Sequence, residues 1–261
     1  IEPVIDSESN QRVHVVSGTP GVGKSTFSLF LTRLLAKTDS KKLDSIVNKQ
    51  KPSKEFKASY SKLSKVNKYL PIFINGDEGD IEDAFYSALE TSFEAHNLKK
   101  EFQELSAQDG TKAINIINSW KSDYPDKYDE FEALVEEKFE KTVKQLIASL
   151  RRGTRAVVKD FELLYKEITG GATFSQYHHG QIIDLYSKAS KILKKKRFAG
   201  IYIIYDEFGK YLERGARHSS EFDLQFLQDI AEHCNKSGDE HTHLLLITHL
   251  PIAQYATNLP V

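Results

Sequence analysis

Four short apolar runs punctuate the chain, and between them the apolar positions change to helical spacing. Arg12-Val13-His14-Val15-Val16 is rich in β-branched residues and reads as a buried strand that stops at Ser17-Gly18. A helix pattern starts at Lys24 and runs over 24–37, with Phe27, Leu31, Leu34 and Leu35 on one face. A second strand is predicted at Tyr69-Leu70-Pro71-Ile72-Phe73-Ile74, closed by Asn75-Gly76. Asp80 then reads as the N-cap of a helix carrying Ile81, Phe85, Leu89 and Phe93. The third strand, Gly200-Ile201-Tyr202-Ile203-Ile204-Tyr205, runs directly into Asp206-Glu207. A helix pattern over 222–231 (Phe222, Leu224, Phe226, Leu227, Ile230, Ala231) separates it from the fourth, His243-Leu244-Leu245-Leu246-Ile247-Thr248. Strands that alternate with helices and are themselves nearly all apolar predict an α/β fold, its parallel sheet covered by helices on both faces.

Two stretches depart from that rhythm. From 97 to 198 only helical patterns occur, the clearest carrying Phe131, Leu134, Val135, Phe139, Leu146 and Leu150. This is longer than an ordinary connection, so it reads as a large helical insertion between the second and third strands. The expected division is a core of 1–96 and 199–261 with an insertion of 97–198. Residues 41–68 hold nine lysines against Asp44 and Glu55, which reads as a solvated loop or frayed helix, or as a basic arm for a phosphate backbone.

Composition narrows the class. With 36 basic and 37 acidic side chains in 261 residues, no chain-wide field recruits nucleic acid or membrane. A single cysteine excludes a disulfide framework and suits a reducing compartment. No apolar run approaches a membrane span and no signal-like start is present, so the expected location is cytoplasmic. Methionine is absent, including at position 1, and the chain reads as a piece of a longer one. His233, Cys234, His241 and His243 match no standard zinc spacing.

The chemistry is carried by Gly18-Thr19-Pro20-Gly21-Val22-Gly23-Lys24-Ser25, which satisfies G-x-x-x-x-G-K-[ST] between a strand and a helix. Glycines there let backbone N–H groups approach phosphate oxygens, and the helix beneath turns its unpaired N–H groups to the anion. The expected binding set runs from Gly18 to Ser25 and on to Thr26. Within it Lys24 places a charge on the outer phosphates and Ser25 is a magnesium ligand.

Hydrolysis also needs a metal acid and a base for water at a neighbouring strand tip. Asp206 is the expected metal acid and Glu207 the expected base. Thr248, with His249 as its rival, is the expected polar contact to the γ-phosphate, and Asn75 has a weaker claim. Arg214 and Arg217 read as arginine fingers towards a neighbouring subunit or as plain surface residues. Asp206-Glu207-Phe208-Gly209 also fits D-x-x-G, but no strand precedes an N-K-x-D motif and an acid directly follows the metal aspartate, so ATP is expected over GTP.

The phosphate loop, Leu70-Pro71-Ile72-Phe73-Ile74-Asn75-Gly76 and Tyr205-Asp206-Glu207-Phe208-Gly209-Lys210-Tyr211-Leu212 together resemble large bacterial P-loop ATPases. So do Phe226-Leu227-Gln228-Asp229-Ile230-Ala231-Glu232 and Leu245-Leu246-Ile247-Thr248-His249-Leu250. The likeness is to the AAA+/STAND ATPase domains of anti-phage defence and DNA-restriction systems, and it excludes the helical insertion. The resemblance implies a strand order of 5-1-4-3-2, ATP and Mg2+, a homo-oligomer, and a nucleic-acid, phage-component or effector-protein partner. An ATP-driven engine is the first function it implies. A STAND-type switch, in which nucleotide exchange drives assembly, is the second. A small-molecule kinase would need an acceptor pocket and lid, of which the sequence gives no sign.

Overall fold

The apolar run at 200–205 forms one of the two inner strands of the sheet. In the computed structural model, which describes residues 4, 9–76, 80–106, 110–152, 155–172, 174, 180–217 and 223–257, Gly200–Asp206 (β3) is buried up to its last residue. It pairs with Tyr69–Asn75 (β2) on one side and Thr242–Thr248 (β4) on the other, while Val13–Ser17 (β1) pairs with the far side of β4. All pairs are parallel and the order is β1-β4-β3-β2, so the chain has an α/β fold with a four-stranded parallel sheet. That order reproduces the 1-4-3-2 portion implied by the resemblance. Pro71, which donates no ladder hydrogen bond, is tolerated because β2 is an edge strand.

Helices α1 (Lys24–Leu35), α2 (Ser40–Lys49) and α3 (Lys54–Lys65) lie between β1 and β2. Between β2 and β3 come α4 (Ile81–Ala95), α5 (Lys99–Ser106), α6 (Gly110–Asp123), α7 (Pro125–Phe139), α8 (Val143–Leu150), α9 (Arg155–Ile168) and α10 (Gln181–Lys195). Helices α11 (Phe208–Arg217) and α12 (Leu224–Lys236) precede β4, and α13 (Ile252–Ala256) follows it. On one face of the sheet, Leu35 and Leu63 join Tyr69, Tyr202, Ile204, Leu245 and Ile247 in a buried cluster. On the other, Phe85 of α4 meets Tyr205, Tyr186 and Phe226 at ring separations of 5.1–6.2 Å. Asp80 caps α4 as expected, its carboxylate accepting from Asp83 N–H at 3.0 Å. Phe222, at the start of an expected helix, lies outside the described residues.

The lysine-rich stretch is helical, not a loop. Its few apolar residues suffice because Leu43 and Val47 fall on one face of α2 and Leu63 on the inner face of α3, all buried. Ser53 caps α3 by accepting from Phe56 N–H at 3.2 Å.

Two compact units result, 1–96 with 182–261, and 97–181. Helix α10, which lies within the 97–198 stretch, packs with the first unit from residue 182 on: the Tyr186 hydroxyl donates to the Phe85 carbonyl at 3.0 Å. The second unit has its own core, in which Trp120 stacks on Tyr165 (5.7 Å) and Phe161 meets Phe174 edge-on (4.9 Å). Thr142 and Gln145 close a reciprocal capping box at the start of α8. No helix among the described residues is long and apolar enough to cross a membrane.

At the end of the sheet away from the phosphate loop, His243 is fully buried and neither ring nitrogen is hydrogen-bonded among the described residues. Its ring stacks on Tyr202 at 5.6 Å and meets Tyr69 edge-on. Burial first, then the nearby Arg12, His241 and His14, push its pKa down to about 2. The unfolded chain therefore binds a proton near pH 6.5 that the folded chain refuses. The stability this neutral ring supports is complete above pH 6.5 and falls as the pH drops towards 2, by about 1.4 kcal/mol per pH unit. Urea unfolding at pH 7 and pH 4.5 should show His243→Phe losing roughly 2–3 kcal/mol less than the native chain. Equal losses would show that another group governs the acid limb.

Candidate functional site

The phosphate motif becomes a strand–turn–helix in which two glycines adopt backbone geometry that other residues resist. Gly21 (φ 84°) and Gly23 (φ 93°) are left-handed, and Gly23 is the N-cap of α1 with no side chain closing the first turn. Thr19, Pro20, Gly21, Val22, Gly23, Ser25 and Thr26 are all exposed, so the turn is accessible. Lys24 bends back over it, its ammonium donating to the carbonyls of Gly18 and, at 3.0 Å, Thr19. Gly18 N–H donates to the Thr248 carbonyl at 3.2 Å, which fixes the start of the turn to the end of β4.

At the end of β3, Asp206 is held at three atoms. Its carbonyl accepts from Gly76 N–H (2.9 Å), Oδ1 accepts from Glu207 N–H (2.9 Å) and Oδ2 accepts from the Ser25 hydroxyl (3.2 Å). The last contact joins two positions 181 apart in sequence and reaches across β4, which lies between β1 and β3. The Ser25 hydroxyl and the Asp206 carboxylate facing each other are hard oxygen donors that would suit Mg2+, while the free N–H groups at the start of α1 would suit an anion. No group of three or more His, Cys, Asp or Glu residues suited to a self-sufficient metal site occurs among the described residues.

Glu207 sits immediately beyond, at φ 54°, a conformation unusual for a residue with a Cβ. Its carboxylate is ion-paired with Lys210, one turn into α11. Asn75 ends β2 in register with Asp206 and is exposed. Thr248 ends β4 in register with Ser17 but is buried, and its hydroxyl donates to the Leu250 carbonyl at 2.7 Å. The adjacent His249 is half-buried as a residue, and its Nδ1 is enclosed with no hydrogen-bond partner among the described residues. Arg214 lies with its guanidinium over the Tyr211 ring at 5.8 Å, and Arg217 is the last residue of α11.

Three contributors gave little sign in the sequence. Gly76 reads as a turn former, yet a Cβ there would stand 2.1 Å from the Glu207 carbonyl oxygen, so β2 and the acidic tip meet too closely for any side chain. Gly76→Ala should cost about 2–4 kcal/mol in chemical unfolding. A loss under about 0.5 kcal/mol would show that the tip yields easily. Lys210 carries no motif. Tyr255 of α13 sets its hydroxyl against Gly209 and accepts from Leu250 N–H at 3.2 Å, which ties α11 to the end of β4. That contact accounts for the glycine of D-x-x-G without any guanine chemistry.

No family model, curated protein or solved structure matches the chain.

Proposed function

We propose that this chain is the Mg2+-dependent ATP-hydrolysing engine of a larger bacterial defence or DNA-processing protein, built as a P-loop NTPase of the AAA+/STAND type. The observation that carries the reading is the Ser25–Asp206 hydrogen bond, which brings the phosphate turn and the acidic strand tip to one place. In this reading the backbone of 18–26 holds the phosphates and Lys24 leaves its two carbonyl partners for phosphate oxygens. Ser25 and Asp206 would hold Mg2+, which when bound offsets the charge of the phosphate oxygens. Glu207 takes the proton from the attacking water, for which its carboxylate must first part from Lys210. The Thr248 hydroxyl is committed to the Leu250 carbonyl, so a contact from it to phosphate or water needs that bond to break, and the adjacent His249 stands as its rival for that contact. Phosphate release from ATP, dependent on Mg2+ and absent with EDTA, is the direct test; a chain that binds no nucleotide sinks the reading.

The Glu207–Lys210 ion pair favours a second reading, a nucleotide-controlled switch with little turnover. Tightly held ADP after purification, with assembly only on a trigger, would support the switch over the engine.

A further inference from the structure

We infer that the α2–α3 hairpin is a docking surface for the phosphate backbone of a nucleic-acid duplex. Nine lysines fall between residues 41 and 68, and every one is exposed. Among the described residues none of them is ion-paired with a carboxylate. Elsewhere the same chain does pair its surface lysines, as in Lys188–Asp184 and Lys236–Glu232 one turn apart. On α3 no lysine has an acid three or four positions away, and Lys54–Lys57 and Lys62–Lys65 place like charges at i,i+3. Such pairs oppose helix formation, so the stability of α3 is not what selects them. The two acids of the segment are engaged otherwise. Asp44 accepts from the Tyr60 hydroxyl at 2.7 Å, linking α2 to α3, and Glu55 lies in the first turn of α3, where a negative charge suits the helix dipole.

The partner's chemistry follows from what surrounds the charge. Lys54, Lys57 and Lys65 share the face of α3 opposite buried Leu63, with only Ala58 and Ser61 between them, so a regular array of phosphates can approach closely. A membrane-surface helix would expose an apolar face beside its lysines, but Leu43, Val47 and Leu63 are buried and Ile46 is the one large aliphatic side chain of α2 and α3 that is exposed, too little for such a face. A single-strand binder would offer aromatic platforms, yet Phe56 and Tyr60 stack on each other at 6.1 Å and are half-buried. A repeating, sequence-neutral polyanion remains, and a duplex backbone is that partner.

The inference does not rest on the phosphate-loop reading and is tested without nucleotide. Fluorescence anisotropy of the full chain with a labelled mixed-sequence DNA duplex should give an affinity that falls with salt, at a log–log slope of about −4 to −6. Lys54→Gln/Lys57→Gln/Lys65→Gln should weaken binding about 10- to 100-fold and make the slope shallower by roughly 3. The corresponding triple arginine variant should bind as the native chain does, and a second variant, Lys42→Gln/Lys49→Gln, repeats the test on α2. Circular dichroism should be the same for all. Absence of duplex binding, an unchanged slope in both glutamine variants, or binding to phosphatidylserine vesicles in preference to duplex would each overturn the inference.

Discussion

Lys24→Ala is expected to weaken ATP binding by about thirty-fold or more while leaving the fold intact. In the free chain the ammonium spans the turn, donating to two of its carbonyls. Removing it leaves those carbonyls to water, since the turn is exposed, so the stability change should stay within about 1 kcal/mol. The nucleotide loses a cation facing its outer phosphates. A charge-assisted contact of that kind contributes roughly 2–5 kcal/mol, or from about thirty-fold to several thousand-fold in Kd. Isothermal titration with ATP and Mg2+, beside a thermal melt of the same variant, separates the two effects. Affinity within about threefold of the native value, in a chain that melts normally, would remove Lys24 from the site.

Glu207→Gln should produce the opposite split: ATP retained, turnover lost. The amide would keep the size and hydrogen-bonding reach of the side chain but could not accept a proton from water at neutral pH. The expected fall in kcat is about 10²- to 10⁴-fold, with Kd for ATP unchanged within about twofold. The substitution also removes the ion pair with Lys210, which is one-third exposed or more on both sides and so contributes at most about 1 kcal/mol to stability. Single-turnover hydrolysis is the measurement that isolates the chemical step. A variant that hydrolyses ATP at the native rate would return Glu207 to the status of an acid at a strand end. The same result would leave the binding half of the proposal standing.

What could be seen from the sequence was what local rules determine. A glycine that must adopt positive φ, as at 21 and 23, is conspicuous in the chain, and so is an apolar run that ends on two acids. The parallel sheet followed from β3 and β4 being nearly continuous apolar runs, the composition of strands covered on both faces. Choices between adjacent residues were not legible. Thr248 and His249 are adjacent and both polar where the apolar run ends, and only the turn at Leu250 shows that the Thr248 hydroxyl is already hydrogen-bonded. Nor does an amphipathic helix declare which core it serves. The pattern of α10 is like that of the helices before it, yet its Tyr186 hydrogen-bonds within the sheet unit. The helicity of 41–68 was obscured for a related reason, since three buried apolar residues among many lysines look like noise until they align on one side.

The bond from Ser25 to Asp206 has a thermodynamic corollary. Its two oxygens stand 3.2 Å apart, and the carboxylate is steered at its other oxygen by the Glu207 amide. If Ser25 and Asp206 hold a divalent cation, their oxygens already stand together before it binds. Little conformational entropy would then remain to be lost on metal uptake, and affinity would be limited by dehydration of the ion.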